Sequence, residues 1–169
     1  MQIATDFESA IQRKYPEGVA IAIARDAQGR YNPITLCWVM RTSLAPPMLA
    51  ISIGLTRHSL SAVRHAREFV VAIASTSMRA DALFHGSKSG RDLDKLKACG
   101  TQTQPARVID GVLLADAVAN FECRLVGELQ TGDHVIFAGQ VVAAHMNQDP
   151  TVRGLYALGN EQLGGVLPG

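Results

Sequence analysis

Three short stretches of this 169-residue chain gather polar side chains in orders that limit what chemistry they can do. In GLTRHS (54–59) an apolar run gives way to Thr56, Arg57, His58 and Ser59 at the expected start of a helix. A helix start exposes unpaired backbone N–H groups, a guanidinium can donate two hydrogen bonds to one phosphate, and each hydroxyl adds another, so this stretch suits an anion. The plainer alternative is a capped helix with a solvated Arg57. In NPITLCW (32–38), Asn32 precedes a proline, and Thr35 and Cys37 alternate with Ile34, Leu36 and Trp38. Strand-edge amides, two polar side chains and an aromatic wall are the mixture that holds a flat ligand, although a core tryptophan on a half-buried strand has the same pattern. The third stretch, SGRDLDK (89–95), has the glycine, serine and lysine of a phosphate loop without the GxxxxGK[ST] order that wraps a triphosphate. Its local reading is a turn at Gly90, a helix cap from Asp92 and an ion pair from Arg91.

Other chemistries lack support. There is no GxSxG elbow and no HExxH, and the aspartates form no recognisable pair. His85 and His134 could serve as acid or base, but a lone histidine beside a loop is more often structural, and GDH (132–134) reads equally well as a hairpin turn. Cys37, Cys99 and Cys123 lie far apart with no CxxC and no Cys/His ligand spacing, which suggests free thiols, no disulfide framework and no metal site. A net charge of +1 gives no bulk attraction to nucleic acid or acidic membranes. No apolar run reaches the roughly 18 residues that span a bilayer, and the charged start lacks a secretory pattern, so a cytoplasmic protein is expected.

These stretches need a scaffold, and the apolar periodicity supplies one. VAIAIAR (19–25) and PITLCWVM (33–40) flank a glycine-containing turn, and MLAISIG (48–54) follows the breaker LAPP, as an antiparallel meander. From 56 to 67 the period changes to that of a helix, with Thr56 as its cap and Leu60, Val63 and Ala66 on one side. EFVVAIA (68–74) is a strand. Ser75 and Thr76 cap a second helix to about Phe84, with Met78 and Leu83 on its buried side. VANFECRLVGEL (118–129) and HVIFAGQVVAAHM (134–146) form a long hairpin around TGD, with a last strand near 155–158. About six strands and two inserted helices in one domain (1–169) predict a mostly β, closed or nearly closed antiparallel barrel rather than a parallel sheet. The tail GNEQLGGVLPG reads as irregular and apolar, suited to packing on a second subunit.

The run from YPEGVAIAIARDAQGRYNPITLCW through the double proline to GLTRHS, then FVVAIAS, SGRDLDK and GDHVIFAGQVVAAH, resembles the flavin reductase-like FMN-binding split-barrel family, which includes flavoredoxins. The resemblance covers roughly residues 7 to 158. It implies noncovalent FMN, with Asn32 near the reactive N5 edge and Thr35, Leu36, Cys37, Trp38 and Ser52 along the ring system. Thr56, Arg57, His58 and Ser59 match the phosphate end, Ser89 belongs to the same loop region, and Lys95 matches a family lysine that reaches the flavin. Cys37 stands where the family commonly has serine, and MRTSLAPP replaces a proline-valine-serine pattern.

The resemblance further implies a homodimer that takes hydride from NAD(P)H onto flavin N5, with an electron-accepting protein or a monooxygenase component downstream. No side-chain acid or base is assigned. The alternatives are an FMN-binding electron carrier reduced by a protein partner and a flavin-binding module without turnover.

Overall fold

The computed structural model describes residues 1–159 and 162–165. The chain begins with α1 (Phe7–Ile11), whose first turn is capped by Asp6 accepting from the Ser9 amide at 2.8 Å. It continues through β1 (Glu17–Gly18), β2 (Ala20–Arg25), β3 (Tyr31–Leu36), β4 (Val39–Leu44) and β5 (Pro47–Gly54). Helix α2 (His58–Ala66), β6 (Glu68–Ile73), α3 (Arg79–Ser87) and α4 (Lys95–Cys99) follow. The remainder is β7 (Thr103–Pro105), β8 (Val112–Leu114), the long pair β9 (Ala119–Thr131) and β10 (His134–Met146), then β11 (Tyr156–Gly159) and β12 (Gln162–Gly164).

The main sheet has seven strands in the order β3-β2-β6-β9-β10-β5-β4, antiparallel throughout. Chain continuity forces it to curl. Laid flat, strands spaced by about 4.8 Å would put the edges of such a sheet about 29 Å apart. Yet β3 ends at Leu36 and β4 begins at Val39, a step that covers at most about 11 Å. The two edges must therefore meet at this end, giving the barrel expected, with more strands than expected.

Strand β2 reads AIAIAR without polar alternation because both its faces are covered. Ala20, Ala22 and Ala24 enter the barrel interior with Ile51, Phe69 and Phe137. Ile21 and Ile23 turn outward with Val70 and Ala72 against Ile109, Leu113 and Leu114 from the connection after α4. Small residues inside leave room for large ones: a Cβ at Gly139 would stand 2.5 Å from Phe69 Cζ, so only glycine admits that ring.

A charge anchors the outer layer. Glu122 on β9 is fully buried, and its carboxylate accepts from the amides of Arg107, Val108 and Ile109 at 2.7–3.0 Å and lies 2.7 Å from His145 Nε2. Burial pushes this carboxyl up, and the hydrogen bonds outweigh it, leaving it below the usual carboxylate range.

Several local expectations need correction. PITLCWVM breaks at Cys37–Trp38 into β3 and β4, and the residues before the double proline continue β4 as half of a hairpin with β5. Neither Thr56 nor Ser75 caps a helix with its side chain; Arg57 and Met78 occupy the α2 and α3 cap positions, and Ser75 precedes a 3-10 turn (Thr76–Met78). Leu83 is exposed, while Ala82 and His85 form the buried side of α3. Asp94, not Asp92, caps α4 by accepting from the Lys97 amide at 3.2 Å. In the tail, Gln162–Gly164 is a strand paired with β11, and residues 160–161 and 166–169 lie outside the described residues.

Candidate functional site

Asn32 sits on β3, an edge of the sheet, and is only 4% exposed. Its Nδ2 donates to Ser59 Oγ at 2.7 Å, which ties the strand to the first turn of α2, while its Oδ1 has no protein partner. Gly90 lies against that amide, and a Cβ there would stand 1.9 Å from Asn32 Oδ1. The requirement for glycine in SGRDLDK is thus close approach rather than a left-handed turn. The start of α2 has no side-chain cap, and with the Leu60 amide bonded to the Arg57 carbonyl at 3.1 Å, the His58 and Ser59 N–H groups remain available. His58 is anchored from behind, with Nε2 3.3 Å from Oδ2 of the buried Asp26, which also accepts from Arg30 Nε at 3.2 Å.

The SGRDLDK loop closes over this start. Arg91 Nη2 donates to the Thr56 carbonyl at 3.1 Å and Arg30 Nη2 to the Gly90 carbonyl at 2.8 Å. Lys95 is 3% exposed, and its ammonium donates to the carbonyls of His85 at 2.9 Å and Lys88 at 3.2 Å, so two of its three donors close the end of α3. Burial first, then the nearby Arg57, pulls its pKa down to about 8. Thr35 Oγ1 donates to the Ala82 carbonyl at 2.7 Å and joins β3 to α3. Between these parts lies a cavity of about 180 Å³ whose walls include Thr35, Thr56 to Ser59, Ser89 and Lys95. Arg57 is exposed at its edge.

A second cavity, about 250 Å³, is bordered by Cys37, Trp38, Ser52 and Ile136. Trp38 is 53% exposed, which removes the core-tryptophan alternative. Its ring lies 4.7 Å from that of His134, tilted by 47°, and His134 Nδ1 is 2.8 Å from Asp133 Oδ1. So GDH forms the β9–β10 turn and also builds an aromatic pair beside this cavity. Burial raises the Cys37 thiol, consistent with a weak donor there. Leu36 packs against the barrel core instead of lining either cavity.

The structure therefore divides the expected residues. Thr35, Thr56, Arg57, His58, Ser59, Ser89 and Lys95 share one cavity, with Asn32 beneath it; Cys37, Trp38 and Ser52 share the other. Reading by stretch missed the contacts of Arg30 and Arg91, each of which crosses between segments distant in sequence. The arginine in SGRDLDK was the available signal for the second.

The sequence matches the flavin reductase like domain over residues 12–161. A protein of Archaeoglobus fulgidus without an assigned function is 31% identical over 111 residues, 66% of this chain and 63% of its own length. The chain spans less than two thirds of the length of the archaeal relatives it matches. The NADH-dependent FMN reductase AsuE2 of Streptomyces nodosus subsp. asukaensis is 30% identical over 133 residues, covering 77% of this chain and 69% of that protein. Among solved structures, flavoredoxin from Methanosarcina acetivorans superposes with a TM-score of 0.87 at 21% identity, over 99% of this chain and 92% of that one, a likeness of fold.

Proposed function

The chain belongs to the flavin reductase like family, and from that premise we propose that it is a single-domain NAD(P)H-dependent flavin reductase that binds FMN noncovalently. The observation that carries this reading is the uncapped start of α2 facing a polar cavity with Arg57, Ser59 and Lys95 around it. A phosphate fits that donor set, since backbone N–H groups, a hydroxyl, a guanidinium and an ammonium can all donate and an oxyanion only accepts. The small volume suits a single phosphate better than a dinucleotide's chain. A flat ring fits the direction of β3, with Asn32, Thr35 and the Cys37–Trp38 break along it.

Bound flavin would supply the two-electron acceptor that the protein's side chains lack. The chain's own contribution is positioning and electrostatics. Arg57, Ser59 and the α2 amides hold the anionic end, and Asn32, buried beneath the cavity, positions Ser59 by donating to its Oγ. Lys95 keeps one donor and a positive charge at the cavity wall, where negative charge on the reduced ring is stabilised. Exposed Trp38 with His134 offers an aromatic face on which a nicotinamide can be oriented.

Exposed Met40 and Leu44 on β4, with Val126 and Leu129 on β9, support a homodimer. Three free cysteines support a reducing, cytoplasmic setting. No helix among the described residues is long and apolar enough to cross a membrane.

The test is an anaerobic titration of the purified protein after its visible spectrum and the mass of its released ligand identify the flavin. Bleaching by NADH or NADPH is expected. A flavin that bleaches only with dithionite or a partner protein would move the chain to the carrier class, and failure to bind FMN or FAD would remove the cofactor assignment.

A further inference from the structure

The two helices that bracket the SGRDLDK loop bring together side chains that no short motif links. Asp81 and His85 are one helical turn apart on α3, and Cys99 ends α4. Their ligand-type atoms all lie within 4.8 Å of one another. Cys99 Sγ is 3.5 Å from Asp81 Oδ1. That distance is the edge, about 3.5 Å, that a Zn–S bond of about 2.3 Å and a Zn–O bond of about 2.0 Å make at a tetrahedral angle.

His85 gives a second, separate observation. Its ring is 1% exposed, Nε2 is 2.9 Å from Thr101 Oγ1, and Nδ1 has no protein partner. A buried ring nitrogen left unpaired costs free energy, and packing alone does not recover it.

We propose that Asp81, His85 and Cys99 form a zinc-type divalent-cation site that clips α3 to α4 across the SGRDLDK loop. One carboxylate, one imidazole and one thiolate suit zinc, and water completes the tetrahedron. On binding, Cys99 gives its proton to solvent, and the two anionic ligands offset the ion's double charge despite nearby Lys95. The ligand-type atoms stand up to 4.8 Å apart, so the site must contract for one ion to bond all three. Occupancy ties the ends of the segment that carries Gly90, Arg91 and Lys95, so the ion acts on the flavin cavity by fixing its rim.

The experiment is metal content after dialysis of the purified protein against Zn²⁺, joined to a Co²⁺ difference spectrum, neither of which depends on flavin turnover. One equivalent per chain is expected, with a thiolate-to-cobalt charge-transfer band. Asp81→Asn and Cys99→Ser should each weaken Co²⁺ binding at least tenfold, while Cys37→Ser should leave it unchanged. The far-UV spectrum of each variant checks folding, and the Asp81 variant carries the test where the Cys99 variant does not fold. No stoichiometric Zn²⁺, equal Co²⁺ binding in the Asp81 and Cys99 variants, or loss of the band in Cys37→Ser would overturn the site.

Discussion

Glu122 and Asn32 are both buried polar groups on strands of the same sheet, and their surroundings differ in a way that separates fold from function. Each oxygen of Glu122 has a partner, from the 107–109 amides or His145. Asn32 keeps an unpartnered oxygen, beside a helix start with no cap and a lysine with one donor to spare. A closed network contributes rigidity, whereas open donors at the cavity wall above Asn32 would be free for a ligand. The two centres should therefore respond oppositely to mutation: damage at Glu122 lowers stability, and damage around Asn32 lowers flavin affinity.

The largest effect should come from Glu122→Ala. It strips three amides, one of them buried, of their acceptor and leaves His145 unpaired, a change worth about 3–5 kcal/mol by analogy with broken buried pairs. Urea unfolding should show that loss, with flavin affinity of the folded fraction unchanged. The sign with pH follows. Because the folded carboxyl lies below its ordinary value, Glu122 stabilises the fold above the unfolded pKa, and that contribution disappears as pH falls through the folded one. Glu122→Ala should flatten the acid limb of the stability curve; an unchanged limb would break the comparison at its stronger end.

Next is Arg57→Ala. A charge-assisted hydrogen bond is worth roughly 1.5–3 kcal/mol, so FMN should weaken about tenfold or more while riboflavin, which lacks phosphate, keeps its affinity. Ser59→Ala should act in the same direction and less strongly, because the α2 amides remain. Calorimetry with both ligands reads this, and equal weakening returns Arg57 to the solvated-helix reading.

Gly90→Ala sharpens the contrast from another side. The added methyl meets Asn32 Oδ1, so the Asn32–Ser59 hydrogen bond must give way, and overpacking of this kind costs about 1–3 kcal/mol. Flavin affinity should fall with stability, and Asn32→Ala in the Gly90→Ala background should restore stability without restoring affinity. A variant that binds FMN normally would detach the SGRDLDK loop from the cavity.

The barrel was legible in the sequence because β2, β5 and β6 carry mostly apolar runs and its longest hairpin is marked by Gly132. The split of PITLCWVM at Cys37–Trp38 was not, since β-rich composition continues across it and only the barrel's closure demands a break there. The helix starts misread in the same way. Thr56 and Ser75 are good cap types, but they lie one and three residues before the positions that Arg57 and Met78 occupy, and residue type alone does not set where the first turn begins. The site residues were legible by type and not by grouping: Thr35 and Cys37, two apart on the chain, border different cavities. Asp81, His85 and Cys99 were invisible for the complementary reason, since the helices bring together residues with no ligand spacing.

The smallest effect concerns Lys95, which belongs to both sides of the comparison. Its contacts to the His85 and Lys88 carbonyls are structural, and its position on the cavity wall is where a ligand would meet it. The sign is worked from its folded pKa of about 8 against an unfolded value of about 10.4. Between these values the unfolded chain binds more protons, so Lys95 makes stability rise with pH, by on the order of 1 kcal/mol from pH 7 to pH 9. Lys95→Met should remove that rise, and subtracting its curve from the wild-type one isolates Lys95 from the cysteines, whose raised thiols slope the other way. The same variant should loosen reduced flavin more than oxidised flavin and so lower the bound flavin's reduction potential. A lysine that only closes α3 would alter the stability difference and leave the potential where it was.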